Sequence, residues 1–316
     1  MKNILITGGS GFVGTNFLKK LSENLDLNLT ANYFLNETFN KIKNVNYLKK
    51  NLENLNECRD ICKNIDVVVM CAANSSGAAV MEKTPLVHLS PNIRMNINMM
   101  EAAYEAQVKK FIFISSNTVY PAVDFDVKEE DVNFEFFEKY YVVGWMKRFS
   151  EIVAEIYSNK TKNNKMKTII IRPGNLYGPF DKFDPEKSKV IPSLIRKVVE
   201  KQNPVKVWGD GKDLKDFLYI SDFIDILEKI TLHYNDTNVF NIASGTGITI
   251  REILSKIIEL EKASDLKIEY DESMPTMIPK RLINIDKAKK ILKFEPKVSI
   301  GIGLAQTIDW FKKNDY

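Results

Sequence analysis

Lys2-Asn3-Ile4-Leu5-Ile6-Thr7-Gly8-Gly9-Ser10-Gly11-Phe12-Val13-Gly14 is an apolar run that drops into glycines at positions 8, 11 and 14. The apolar part reads as a strand, and Asn16-Phe17-Leu18-Lys19-Lys20-Leu21 after it has helical spacing. Strand, glycine turn and helix in that order make a phosphate cradle. Gly8 supplies a tight turn, Gly11 lets the backbone approach a pyrophosphate, Gly14 lets the helix pack on the strand, and the helix N-terminus faces the anion. Gly8, Gly11, Phe12, Val13 and Gly14 are therefore the first candidate dinucleotide-binding residues.

Residues 28–34 read as a second strand, which puts Asn32 about 20 residues past the glycines, where an acid would read a ribose. Neither an acid nor an arginine stands there, so NAD is favoured over NADP without excluding it. Residues 45–49 form a further short strand, followed by Asn51 and Leu52. The continuous apolar run at 65–71 marks a strand buried on both faces. It ends in Ala72 and Ala73 and runs through small residues to Gly77, which lets a dinucleotide lie close over the sheet edge.

Residues 92–106 are an amphipathic helix with Ile93, Ile97, Met100 and Tyr104 at helical intervals, and 111–115 are the next buried strand. A long helix over 140–157, a polar loop at 159–165 and a strand at 168–172 follow. This alternation predicts an α/β fold with a doubly wound parallel sheet of Rossmann type, with ligands at the carboxyl ends of its strands. After residue 172 prolines and loops break the pattern. The expected division is a dinucleotide-binding domain over 1–172 and a smaller substrate-binding lobe over 173–316, interleaved with the end of the first sheet.

Composition narrows the partners. Across 316 residues, 45 basic and 41 acidic side chains are interspersed, without a basic block, so nucleic acid is excluded. Three cysteines and two histidines supply no ligand set for a metal; Cys58 and Cys62 are at helical i, i+4 spacing. No apolar run is long enough to span a bilayer and no leader precedes the first strand, so a cytoplasmic protein is expected.

Several stretches, in order, resemble the extended short-chain dehydrogenase/reductases that modify nucleotide sugars. Residues 7–14 are similar to their cofactor fingerprint, 92–103 to their helix that starts with an asparagine, and 115–121 to their active-site serine segment. Arg172-Pro173-Gly174-Asn175-Leu176-Tyr177-Gly178-Pro179 resembles the segment joining nicotinamide and sugar sites, and 208–211 and 216–222 resemble the substrate-lobe loops. The resemblance implies cofactor contacts at Asn92, Ser115, Lys147, Pro173 and Leu176. It implies substrate contacts at Asn175, Lys189, Val190, Arg196, Trp208, Lys215, where arginine is usual, and Arg281, on the nucleotide diphosphate. It also implies a homodimer built from the helices over 92–106 and 141–157 as a four-helix bundle.

The wording over 175–192 is similar to the GDP-fucose synthase branch, which favours a GDP-linked substrate. Two departures shape the expected reaction. Where that branch has a cysteine and a histidine for epimerisation, this chain has Thr118 and Phe180, and the Asp-Glu pair of the dehydratases is absent from 116–119. Where the family has Tyr-x-x-x-Lys, Lys147 is preceded four residues earlier by Val143, which has no proton to give. On a regular helix Tyr141 points about 120° away from Lys147 and Tyr140 lies about 10 Å along the same face. If the helix starts only near Val143, either phenol reaches the nicotinamide.

The expected catalytic set is Ser116, Thr118, Tyr141 and Lys147. The expected activity is NAD(P)-dependent oxidoreduction at C4 of a nucleotide sugar, a GDP-linked hexose or heptose, as 4-dehydrogenase or 4-ketoreductase. A 4-epimerase is the alternative enzyme, and a non-catalytic cofactor-binding protein the alternative of another class.

Overall fold

The computed structural model describes residues 1–36, 39, 41–75, 77, 80, 84–161, 166–274 and 276–314. Ser76 of the small-residue loop and positions 162–165 of the expected polar loop lie outside the described residues. One parallel sheet of seven strands organises the chain. It is built from β1 (Lys2–Thr7), β2 (Leu27–Tyr33), β3 (Val45–Lys49), β4 (Val67–Met70), β5 (Lys110–Ile114), β6 (Lys167–Pro173) and β11 (Asn238–Ile242). Their order is β11-β6-β5-β4-β1-β2-β3, every pair parallel.

Chain direction along the sheet reverses between β1 and β4, and a crevice opens there at the carboxyl ends of the strands. The doubly wound sheet expected from the sequence is therefore present, and β11, from the second half of the chain, pairs with β6 at its edge. The remaining strands form three small sheets. β7 (Asn175–Tyr177) pairs with β10 (Phe217–Tyr219), and β8 (Val205–Trp208) with β13 (Ile268–Asp271). β9 (Leu214–Lys215) lies between β12 (Ile248–Thr249) and β14 (Lys280–Arg281).

Helices cover both faces of the large sheet. α1 (Phe12–Leu21) packs with α6 (Ile220–His233) on one face, and α2 (Leu55–Ile61), α3 (Ser90–Glu105) and α4 (Tyr141–Asn159) pack in sequence on the other. β4 is Val67-Val68-Val69-Met70, buried at every position, because helices cover both of its faces. α5 (Val190–Val199), α7 (Ile250–Glu261), α8 (Asp286–Leu292) and α9 (Ile300–Lys313) complete the described helices. α7 starts where Thr249 caps it with Glu252 in a reciprocal box and buries Ile250, Ile253, Leu254 and Ile257.

The inner face of α3 differs from the apolar stripe expected there. Asn92, Asn96, Met99, Met100, Ala102 and Ala103 are its buried residues, while Ile93, Ile97 and Tyr104 are half-buried. The two asparagines go inside because each has partners there. Asn92 holds the loop at Asn74, and Asn96 Nδ2 donates to Ser150 Oγ of α4 at 2.9 Å.

Candidate active site

The cradle after β1 has the geometry its sequence demands. Gly8 sits at φ +65°, and a Cβ on Gly14 would lie 2.2 Å from Gly8 O, so the start of α1 packs directly on the turn. Gly11 is the N-cap, with no capping side chain and no acid in the first turn of α1. The free N–H groups of that turn are left for an anion, and Gly11, Phe12, Val13 and Gly14 line the cleft beside them. A dinucleotide pyrophosphate fits this arrangement.

The cleft measures about 1190 Å³ and runs from this cradle to the small sheets. Ala72, Ala73, Asn92, Ser115, Ser116, Thr118, Lys147, Pro173, Asn175, Leu176, Lys189, Val190, Arg196, Trp208 and Lys215 all border it. The structure thus brings most of the expected site residues to one wall or the other.

Gly8 and Arg281 do not border the cleft, and four further expected residues stand elsewhere. Asn32 is buried, and its amide is spent on backbone: Oδ1 accepts from Gly8 N at 3.4 Å, and Nδ2 donates to Lys50 O at 2.7 Å and to Tyr33 O at 3.2 Å. It braces the glycine turn and does not border the cleft. Asn51 closes the turn before α2, with Oδ1 accepting from Glu53 N, and Leu52 is buried in the core under α3; neither borders the cleft.

Tyr141 is the clearest correction. Helix α4 begins at Tyr141, not near Val143, so the phenol leaves the site on the outer side of the helix, exposed and edge-on to Phe136. Tyr140, in the single 3-10 turn Glu138–Tyr140 before α4, borders the cleft instead. Burial pushes its phenol up to about 12, with Arg281 and Asp213 nearby.

On the reaction wall, Ser116 caps a 3-10 turn, Asn117–Val119. Its Oγ accepts from Thr118 N at 3.1 Å and from Thr118 Oγ1 at 2.9 Å. With both acceptor positions used, the Ser116 proton is the one left to donate. Ser115 Oγ is turned the other way and donates to Glu151 Oε1 at 2.5 Å. A Cβ on Gly144 would lie 2.7 Å from Thr118 O, so glycine there lets the first turns of α4 pack against the serine turn. That contact puts Val143 and Lys147 on the same wall as Ser116 and Thr118. Lys147 Nζ donates to Ile114 O at 2.9 Å and lies 4.9 Å over the Phe113 ring; burial lowers its pKa to about 8.

Phe180 does not border the cleft. It turns at φ +69° to pack 5.0 Å from the Trp310 ring, with Lys19 over its other side at 4.8 Å. The next residue, Asp181, is buried in the cleft wall with Oδ2 unpaired, and burial raises its pKa. This segment is tied across the cradle: Asn16 Nδ2 donates to Pro179 O, Lys182 Nζ to Ser75 O and Gly77 N to Lys187 O.

The far end of the cleft collects buried cations. Lys215 Nζ is 3.2 Å from Asp213 Oδ2 but lacks hydrogen-bond geometry to it, and Arg196 Nε has no partner. Arg281 stands opposite Lys215 in the β14–β9 pair, behind the lining residues. Its Nη2 donates to Tyr120 O at 3.1 Å, while Nε and Nη1 are buried without acceptors, and burial depresses the pKa of both Arg281 and Lys215. Buried donors without acceptors cost free energy unless an anion arrives. Asn175, at the centre, donates through Nδ2 to Asp216 O at 2.8 Å.

Some cleft residues carried no signal as separate motifs. Cys71, His88 and Asp181 became visible only through the fold, although His88 precedes Asn92 by one helical turn and accepts its amide through the backbone, Asn92 Nδ2 to His88 O at 2.7 Å. Among the described residues no cluster of histidine, cysteine or acid groups is arranged to hold a metal, and no helix is long and apolar enough to cross a membrane.

The model of the NAD dependent epimerase/dehydratase family matches residues 4–243. A dTDP-4-dehydro-6-deoxy-D-allose reductase of Streptomyces bikiniensis is 26% identical over 324 residues, covering 98% of this chain and 96% of the relative. A GDP-L-fucose synthase of Sinorhizobium fredii is 30% identical over 255 residues, covering 78% of this chain and 79% of the relative. Among solved structures, the UDP-glucose 4-epimerase of Thermotoga maritima, crystallised with UDP-glucose, superimposes with a TM-score of 0.87 at 25% identity, covering 98% of this chain and 99% of that one. The chain belongs to the NAD dependent epimerase/dehydratase family, as the sequence motifs led us to expect.

Proposed function

We propose that this member of the NAD dependent epimerase/dehydratase family is an oxidoreductase that works at C4 of a nucleotide sugar, as a 4-ketoreductase or 4-dehydrogenase. The observation that carries this reading is the chemistry of the cleft wall. Ser116 offers a hydroxyl for the sugar oxygen, Thr118 Oγ1 orients it, and the Phe180 side chain packs outside the cleft. Thr118 and Phe180, at the positions where the GDP-fucose synthase branch places its acid and base, cannot cycle a proton near neutral pH. The wall therefore serves hydride chemistry at a single carbinol.

A bound nicotinamide dinucleotide would supply the hydride acceptor or donor for that carbon. The first turn of α1 holds its pyrophosphate, and Ala72 and Ala73 let it lie close to the sheet edge. Lys147 holds the nicotinamide ribose and supplies positive potential beside the developing alkoxide. Ser116 aims its free proton at the sugar oxygen. Lys215, Arg196 and Arg281 supply cations for the nucleotide diphosphate, and Lys189, Val190, Asn175 and Trp208 border the substrate path.

GDP is the favoured nucleotide, on the similarity of residues 175–192 to the GDP-fucose synthase branch; the relatives above are named for dTDP-, GDP- and UDP-linked sugars. A cytoplasmic homodimer joined through α3 and α4 is part of the same reading, and both helices leave apolar side chains exposed or half-buried, Ile93, Ile97, Trp145 and Ile156 among them. The test is nicotinamide absorbance with GDP-, dTDP- and UDP-linked sugars and their 4-keto forms. Turnover of a 4-keto sugar with release of the alcohol supports the reading; interconversion of C4 epimers without net change in the cofactor replaces it with epimerisation.

A further inference from the structure

We propose that Lys147 is itself the proton carrier of this reaction: its ammonium protonates the sugar C4 oxygen during reduction, and its amine takes that proton back during oxidation. The proposal rests on the C4 oxidoreductase reading above. It starts from a requirement of the chemistry. Hydride transfer at a carbinol carbon must be matched by a proton at its oxygen, so a group that changes charge near neutral pH has to face that oxygen.

The hydroxyl pair cannot be that group. Ser116 Oγ accepts from Thr118 N and Thr118 Oγ1, so it is fixed as a donor to the sugar oxygen, but a serine hydroxyl does not exchange a net proton near neutrality. Val143, one helical turn before Lys147 on the same wall, has no proton to offer. The titratable groups on the elements packed around Lys147 are Cys71, Glu151, His88 and Tyr140. Glu151 is fully engaged by Arg172, Arg148 and Ser115. Burial pushes the Cys71 thiol up to about 12. His88 is almost fully buried, with Nδ1 against Asn74 O and Nε2 sealed from solvent. Tyr140 is drawn toward the cationic end beside Arg281 and Asp213.

Lys147 is what remains, and its placement suits the task. Its stem comes from α4 where Gly144 packs against Thr118 O, and its Nζ is anchored on Ile114 O, two residues before Ser116. That anchor uses one of three ammonium protons, so a donor remains for the sugar oxygen beside the one the nicotinamide ribose would take. Burial lowers its pKa to about 8, well below the ordinary lysine value, which brings the neutral amine within reach of mildly alkaline pH. In the reductive direction, as the ketone carbon receives the hydride that a reduced nicotinamide would supply, which leaves that nicotinamide oxidised, the carbonyl π pair moves onto oxygen. An N–H bond of Lys147 breaks, an O–H bond forms, and water reprotonates the neutral amine. Oxidation runs the same transfers in reverse.

Two measurements test this. Competitive acylation of the substrate-free protein, read by mass spectrometry at Lys147 across pH, should give a midpoint near about 8; a midpoint at the ordinary lysine value of about 10.4 overturns the proposal. Lys147→Ala should bind NAD more weakly by calorimetry and, at saturating NAD, lose roughly 10² to 10⁴-fold in kcat and recover rate when small primary amines are added, whereas Lys147→Arg stays slow although it keeps the charge. Near wild-type kcat in Lys147→Arg overturns the proposal, as does a large loss in Tyr140→Phe or His88→Gln with no amine rescue of Lys147→Ala. A wild-type protein that turns over no nucleotide sugar removes the oxidoreductase reading and this proposal together, whereas an active wild type with an unrescued alanine variant removes only the proposal.

Discussion

The carboxylate of Glu151 grips the guanidinium of Arg172 through two hydrogen bonds, Nε to Oε1 at 2.9 Å and Nη2 to Oε2 at 2.8 Å, with both side chains sealed from solvent. This pair joins α4 to β6 one helical turn beyond Lys147, and Arg172 Nη1 continues it to Tyr120 Oη and Glu129 O. Removing one partner strands the other charge in the core. Glu151→Ala should therefore lose about 3–5 kcal/mol of unfolding free energy in a denaturant titration, and lower kcat because the helix that carries Lys147 loses its anchor.

Ser116 and Thr118 differ in role although they touch. Ser116→Ala removes the donor aimed at the sugar oxygen and should reduce kcat by roughly 10² to 10³-fold with little change in KM. Thr118→Val removes only the group that orients that donor, and a smaller loss is expected. Steady-state kinetics of the two variants check the order; equal losses would show that both hydroxyls bind the substrate.

At the cradle, Gly14→Ala asks for a Cβ 2.2 Å from Gly8 O. The turn or the helix has to move, so NAD affinity measured by calorimetry should fall by at least about tenfold.

Arg281 is a buried cation whose proposed task is to meet the nucleotide diphosphate. With Nε and Nη1 buried and unpaired, Arg281→Met should raise the free protein's unfolding free energy by about 1–2 kcal/mol and at the same time raise KM for the nucleotide sugar. Thermal melts with and without nucleoside diphosphate read both effects.

Reduction with Lys147 as the acid fixes the sign of the pH dependence. The reactive form is the ammonium, so kcat for reduction is full below the lysine midpoint and declines as pH rises through about 8. For oxidation the limb reverses. Val143→Tyr adds a phenol that stays protonated to higher pH and should move the decline of the reductive limb upward, which a kcat profile across pH detects.

What was legible in the sequence was whatever depends on local pattern. The apolar run into Gly8, Gly11 and Gly14, and the unbroken Val67-Val68-Val69-Met70, were enough to read a doubly wound parallel sheet with ligands at the carboxyl ends of its strands. What was not legible depended on direction. Asn32 stands at the expected place, but its amide turns inward to Gly8 N and Lys50 O because the turn's backbone groups need partners when buried. Tyr140 and Tyr141 are adjacent in sequence, and the start of α4 decides which one faces the cleft; a boundary one or two residues off reverses the answer. Arg172 read as the end of a strand, and its tie to Glu151, Tyr120 and Glu129 exists only because β6 runs beneath α4.

The most direct test of the account follows the hydrogens. The protein is supplied with dideuterated NADH and a 4-keto nucleotide sugar in ordinary water, and in parallel with unlabelled NADH in heavy water. The account predicts one cofactor-derived deuterium at C4 in the first product and no carbon-bound deuterium in the second. Solvent deuterium at a neighbouring ring carbon, or a product without label from the cofactor, would contradict it.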